Sequence, residues 1–172
     1  MIVLISFMFL SAALRITSLV VSMRNERRLR EAGAAEHHAV TTTLLALAHV
    51  TYYVSGFAEG LWRLAPADGI TLLGLALYAA SMLALFWVIR ELGRLWTVKL
   101  MLARDHELVT STLFARMRHP NYYLNILPEL IGFALVMHAW YTLIIGLPLY
   151  AMVLRRRIEQ EERIMRANFA GY

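Results

Sequence analysis

The chain contains no cysteine and, for its 172 residues, little charge: 17 basic and 12 acidic side chains make up only 17% of it. Without cysteine there is no disulfide framework to hold a small secreted fold together. Soluble domains carry about 25% charged residues, so a soluble chain of this composition would leave much of its surface apolar. The common nucleotide and metal signatures are missing as well. There is no C-x-x-C pair, no G-x-x-x-x-G-K-[ST] loop, no H-E-x-x-H and no G-x-G-x-x-G, so a soluble Rossmann or P-loop site is not expected. No solenoid-type repeat and no low-complexity linker interrupts the sequence.

What the chain has in excess is apolar. Hydrophobic residues make up 59% of it, against about 45–50% in soluble domains, and the mean hydropathy is +0.55. That excludes intrinsic disorder. The isoelectric point near 9.9 is no sign of a nucleic-acid partner, because basic residues beside long apolar runs set orientation in a bilayer. The composition describes one polytopic membrane domain, all-α, over residues 1–172.

A spanning helix needs about 20 mostly apolar residues. Met1–Met23 supplies the first, with Arg15 as its one charge. Its basic cluster follows the apolar run, the reverse of a signal peptide. Val40–Leu61 is the second run, interrupted by His49 and Glu59, and Ile70–Ile89 is the third. Tyr122–Leu154 is 33 residues long, carries Pro128 and Pro148, and has His138-Ala139-Trp140 near its middle. It reads as a helical hairpin turning near His138, for five membrane helices in all.

Fifteen of the 17 basic residues fall in three segments: a loop from Arg24 to His38, the stretch from Arg90 to Arg118, and the tail from Arg155. Five helices with the N-terminus outside put all three on one side, which the positive-inside rule makes cytoplasmic. The expected location is a bacterial inner or plasma membrane. Residues 1–89 then hold three spans, 90–121 a cytoplasmic segment, 122–154 the hairpin and 155–172 a cytoplasmic tail. Trp62, Trp87, Trp96 and Trp140 near span ends read as interfacial anchors. Arg24-Asn25-Glu26-Arg27-Arg28 reads as topogenic and lipid-binding. The methionines Met8, Met82, Met137 and Met152 read first as packed or lipid-facing side chains. Glu129 inside the fourth span is either functional or part of a structural polar cluster beside Pro128. His49 and Glu59, ten residues and about 15 Å apart on one helix, do not share a metal, and His37-His38 is a weak metal pair. No metal is expected, and oligomeric state is left open.

The segment 90–121 is longer than a connector needs, about 2–8 residues between helices. It ends in Arg118-His119-Pro120-Asn121-Tyr122. Pro120 holds His119 extended and opens the next helix. That sets His119, Asn121 and Tyr122 at a helix start, which favours a carboxylate. In the tail, Arg157 and Glu161 share a helix face four residues apart.

Arg118-His119-Pro120-Asn121-Tyr122, followed by Arg157-Ile158-Glu159-Gln160-Glu161-Glu162 and preceded by His106-Glu107-Leu108-Val109-Thr110-Ser111, resembles the isoprenylcysteine carboxyl methyltransferase family, most strongly over Leu92–Tyr172. The resemblance implies S-adenosyl-L-methionine as cofactor. It implies that His106, Glu107, Leu108 and Val109 line the cofactor pocket, with Phe114 where many members have a tyrosine. His119, Pro120, Asn121 and Tyr122 hold the cofactor, Glu161 reaches it from the tail, and Arg157 faces the acceptor. Lys99 stands where glutamine is common, and Tyr123-Leu124-Asn125 replaces a smaller residue. The implied reaction is O-methylation of a carboxylate or hydroxyl on a lipophilic acceptor, isoprenylcysteine-like or alkylpyrone- or alkylresorcinol-like. Phospholipid N-methylation, whose families share a related tail motif, and a non-enzymatic transporter or scaffold are the alternatives.

Overall fold

A computed structural model describes residues 2–102 and 111–169, the side chains at 112 and 115 apart. Helix α1 (Ile2–Glu31) is followed by strand β1 (Ala35–His37), helix α2 (Ala39–Arg63) and helix α3 (Gly69–Leu92). A 3-10 turn (Gly93–Leu95) leads to strand β2 (Leu100–Leu102), and then come α4 (Thr112–Arg116), α5 (Leu127–Met137) and α6 (Leu147–Asn168). A π-helical turn runs into each of the last two helices, Asn121–Ile126 before α5 and Thr142–Gly146 before α6. Among the described residues, Ile2–Glu31 and Gly69–Leu95 are long and apolar enough to cross a membrane.

The first basic cluster is helical rather than a loop, because α1 continues to Glu31. Its extension is held by Arg30 on Glu26 at 2.9 Å and Arg27 on Glu31 at 3.0 Å, both i,i+4 pairs. It stops at Gly33, whose φ of 83° few other residues would accept. There Gly33 N–H donates to the Arg30 carbonyl and Ala34 N–H to that of Leu29, the two bonds of a Schellman ending. Leu29 and Ala34 pack together beneath it, with Met101.

The following residues pair as a ribbon with the segment beyond α3: Ala35 opposite Leu102, Glu36 opposite Met101 and His37 opposite Leu100. The sequence reading had no strand here. Asn25 and Ser22 on α1 complete the attachment. Asn25 Nδ2 donates to the carbonyls of Gly93 (3.0 Å) and Trp96 (2.9 Å), and Ser22 Oγ accepts from Val98 N–H at 2.8 Å. Trp96 is buried in this contact, so it is no interfacial anchor, whereas Trp62 is 73% and Trp87 49% exposed.

Helices α3 and α5 make the closest approach in the bundle, and two glycines allow it. A Cβ on Gly74 would lie 2.7 Å from Val136 N, and one on Gly132 would lie 2.7 Å from Tyr78 N. On α2, Gly56-Phe57-Ala58-Glu59-Gly60 turns its glycines against the side chains of Phe133 and Met137. Phe133 sits at the centre, stacked on Tyr53 with centroids 4.2 Å apart and edge-on to Phe57 at 5.1 Å. Met82 and Met137 are core residues, while Met152 points outward. Large apolar side chains such as Phe9, Ile16, Leu47, Leu72 and Leu83 also face outward, a covering suited to lipid.

The last apolar run is a helical hairpin. α5 ends at His138 in the left-handed conformation (φ 51°), which reverses the chain into α6. Pro128 and Pro148 sit two residues after the two π-helical turns. A proline lacks N–H and crowds the carbonyl four residues back, and the widened turn makes room for it. Glu59 of α2 secures the α6 start, accepting from the N–H groups of Tyr141 (3.0 Å) and Thr142 (2.9 Å) and from Thr142 Oγ1 (3.0 Å). Asp68 caps α3 through the N–H groups of Ile70 and Thr71, both at 2.9 Å. His138 reaches Thr71 Oγ1 at 3.0 Å.

Gly132→Ala and Gly74→Ala should each lower stability by about 1–3 kcal/mol, since the added methyl meets backbone that cannot turn aside. Gly69→Ala is the control, as a Cβ there meets nothing within 4 Å. Thermal unfolding midpoints in one detergent should fall for the first two and hold or rise for the third.

Candidate active site

His119 and the buried Pro120 lead directly into the helix that becomes α5, and the His119 and Tyr122 rings lie on one side of its start. They stack with centroids 5.7 Å apart and planes 22° apart. Opposite them runs the last part of α6, which carries Arg157, Gln160 and Glu161 on one face by their i, i+3, i+4 spacing. Tyr122 Oη donates to Glu161 Oε2 at 2.6 Å. His119 Nε2 lies 3.3 Å from Glu162 Oε1, and its Nδ1 lies 3.5 Å from Glu161 Oε1. Two motifs 35 residues apart in sequence thus form one polar corner.

Arg157 is 2% exposed. Its Nη1 donates to Thr42 Oγ1 at 2.7 Å and its Nη2 to the Val98 carbonyl at 3.1 Å, while Nε stands 4.0 Å from Glu161 Oε2. The guanidinium therefore ties α6 to the start of α2 and to the segment just before β2. Thr42, the Val98 carbonyl and Gln160 are members of this corner that the sequence reading did not include. Gln160 had a signal, since it falls on the face of Arg157 and Glu161; Thr42 and Val98 had none.

Burial alone would push the His119 imidazolium's pKa down, but hydrogen bonds and charge from Glu161 and Glu162 outweigh it and hold the pKa above its ordinary value. Burial would raise Glu161, yet His119, the Tyr122 hydroxyl and the Arg157 charge hold its carboxyl below the usual range. Glu162 is lowered chiefly by its hydrogen bond with His119. The corner sets Arg157 and a histidine that binds its proton more tightly than usual against two carboxylates.

Pro120 is fully buried, Asn121 opens the π-helical turn and is half-buried, and Phe114 packs against the core. His106, Glu107, Leu108 and Val109 lie outside the described residues. Lys99 is turned to the end of α1, with Nζ 2.8 Å from Glu26 Oε1 and 3.4 Å from Glu36 Oε2. Among the described residues, no group of three or more metal-ligating side chains comes together.

Three buried polar atoms of the corner have no hydrogen-bond partner among the described residues: His119 Nδ1, Arg157 Nε and Gln160 Oε1. Arg157 Nε can only donate and Gln160 Oε1 can only accept, while His119 Nδ1 and Arg157 Nε have Glu161 as a neighbour beyond good hydrogen-bond geometry, at 3.5 and 4.0 Å; buried polar atoms are rarely left unpaired. S-adenosyl-L-methionine carries amino, carboxylate, hydroxyl and ring-nitrogen groups, so this set fits it.

Comparison with known proteins says what class of protein this apolar helical bundle and its polar corner belong to. The family model described as "Isoprenylcysteine carboxyl methyltransferase (ICMT) family" matches residues 72–167. The chain belongs to that family. It is 41% identical over 153 residues to an uncharacterized protein of Haemophilus influenzae, covering 89% of each chain. It is 25% identical over 151 residues to the uncharacterized protein YpbQ of Bacillus subtilis, covering 88% of this chain and 89% of that one. No solved structure matches it significantly.

A histidine raised by its neighbours stabilises the fold fully below its unfolded pKa and loses that contribution as pH climbs through the folded value. The lowered carboxylates contribute above their unfolded pKa and lose it on acidification. From ordinary values of 6.5 and 4.5, the cluster should stabilise most between them. The stability gap between the unsubstituted chain and His119→Gln should therefore narrow above the upper bound and below the lower one. The His119 ring, followed by NMR, should titrate above 6.5 and move down in Glu162→Gln.

Proposed function

We propose that the chain is an S-adenosyl-L-methionine-dependent enzyme that O-methylates a lipophilic acceptor at the cytoplasmic face of a bacterial plasma membrane. The observation that carries this reading is the corner itself, where His119, Tyr122, Arg157 and Glu161 meet around buried polar atoms left unpaired. In this reading the chain crosses the membrane five times with its N-terminus outside. Residues 1–89 and the hairpin 122–154 form the membrane part, and 90–121 and 155–172 complete the site.

His119, Asn121, Tyr122 and Glu161 would hold the cofactor, with Pro120 and Phe114 shaping the wall and His106–Val109 closing the pocket. Once bound, S-adenosyl-L-methionine supplies a methyl group on an already cationic sulfur. The protein's share is then alignment and electrostatics, and effective molarities of about 10⁵–10⁸ M show how much alignment can supply. Arg157 supplies the positive charge that orients the acceptor oxygen.

A carboxylate acceptor asks less of this corner than a hydroxyl does. A hydroxyl must give up a proton in the reaction, and general bases work best with a pKa near the working pH. Glu161 and Glu162 are held below the usual carboxylate range, away from that match, and both nitrogens of the His119 ring already face them, at 3.5 and 3.3 Å. A carboxylate needs no base. Its chemistry is isoprenylcysteine-like; an alkylpyrone or alkylresorcinol would present a hydroxyl, and a phospholipid an amine. A lipophilic acceptor reaches the corner from the membrane and the cofactor from water, with membrane lipids as the other partners.

Calorimetry in detergent should show that the chain binds S-adenosyl-L-methionine. Glu161→Ala and His119→Ala should each weaken binding about tenfold or more, as expected when a hydrogen bond to a charged group is lost. No binding by the unsubstituted chain rejects the methyltransferase assignment, and binding that survives both substitutions rejects the site. Methyl-labelled cofactor incubated with total membrane lipid should label a base-labile methyl ester; label in an ether or an amine replaces the carboxylate assignment.

A further inference from the structure

Beyond the corner, the most polar place in the bundle is a row of side chains running from its core to the start of the π-helical turn. Arg15 of α1 donates to Glu129 of α5, which also accepts from the Tyr53 hydroxyl. Glu129 is 0% and Asn125 1% exposed. Arg15 Nη2 reaches Asn125 Oδ1 at 3.4 Å, and Asn125 Nδ2 donates to Asn121 Oδ1 at 3.0 Å. The row ends at Asn121, two residues after His119.

The direction of this row follows from chemistry. A carboxamide offers an acceptor at one end and donors at the other and can be turned end for end, so its neighbours decide which way it points. A guanidinium has only donors. Asn125 must therefore show Arg15 its oxygen, which leaves its NH₂ group for Asn121. Asn121 must in turn accept with its oxygen, and its own NH₂ group is directed away from the row. Glu129 holds the Arg15 guanidinium in place, so the polarity is set from the bundle core outward.

We infer that Arg15, acting through Asn125, is a positioning residue that fixes Asn121 as a hydrogen-bond donor toward the proposed cofactor site, where it takes the ligand's carboxylate. This rests on the cofactor reading above. An anion suits the position, because Asn121 directly follows Pro120 at a helix start, where the local potential favours negative charge. Asn121 and Asn125, four residues apart, are neighbours on one helix face and touch directly.

Calorimetry of the full chain in detergent tests this with two probes, S-adenosyl-L-methionine and its decarboxylated form. Asn125→Asp offers acceptors to Arg15 and to Asn121 alike, so the Asn121 NH₂ group turns inward and its oxygen outward. Affinity for S-adenosyl-L-methionine should then fall about tenfold relative to the decarboxylated probe, the size of one hydrogen bond to a charged group. Arg15→Met combined with Glu129→Leu removes both charges without leaving either buried alone, and serves if Asn125→Asp does not fold. It should give a selective loss of about twofold or more, because a freely turning amide presents its donor only part of the time. Equal weakening of both probes means a merely structural row and overturns the inference, as does an unchanged ratio. If the unsubstituted chain binds neither probe, the cofactor reading fails and the inference falls with it.

Discussion

Arg157 is a cation taken out of solvent at a place where three parts of the chain meet. Its terminal nitrogens hold the start of α2, through Thr42, and the segment just before β2, through the Val98 carbonyl. Its Nε stands beside Glu161. Removing one partner from a buried charge costs about 3–5 kcal/mol, so these contacts exist together or not at all. That constraint fixes the rotation of α6 about its axis, and with it which tail residues look toward His119 and Tyr122. Gln160 and Glu161 face the corner because Arg157, on the same helix face, has nowhere else to go.

The two ends of the bundle treat their polar groups differently. At the hairpin end the polar atoms close on one another: Glu59 meets the N–H groups that open α6, and Asp68 and Thr71 meet His138. That end is complete as it stands. At the other end, donors and acceptors remain over after the internal bonds are made. A protein that binds nothing there would keep unpaired buried atoms at a cost of about 1–3 kcal/mol each. The two ends thus differ in how fully their buried polar groups are paired within the chain.

Much of this was legible in the sequence. Apolar runs and turn residues gave an all-α chain, and the hairpin turns at His138. The likeness of two distant motifs pointed to the family, and those motifs do meet. What stayed hidden has physical reasons. Charged residues after an apolar run look like a loop, yet i,i+4 pairs between Arg27 and Glu31 and between Arg30 and Glu26 carry α1 onward. Strands of three residues have too little period to read, so the ribbon of Glu36 and Met101 left no trace. Prolines signal a break, but nothing local says that a π-helical turn will absorb Pro128 and Pro148. Arg15 and Glu129 read as isolated charges, since their pairing joins α1 to α5 across 114 residues.

The length of α1 has a consequence for where chemistry can take place. Its 30 residues extend about 45 Å at 1.5 Å per residue, and the hydrocarbon layer is about 30 Å thick. The surplus is the charged stretch that carries Ser22, Asn25 and Glu26, and these residues hold the chain from Gly93 to Lys99. The helix is thus a rigid mast with a platform lashed to its top. The distance of that platform from the apolar part of the helix is set by counting residues. The deck on which Val98 meets Arg157 is thereby held at a fixed distance along α1 from that helix's apolar stretch.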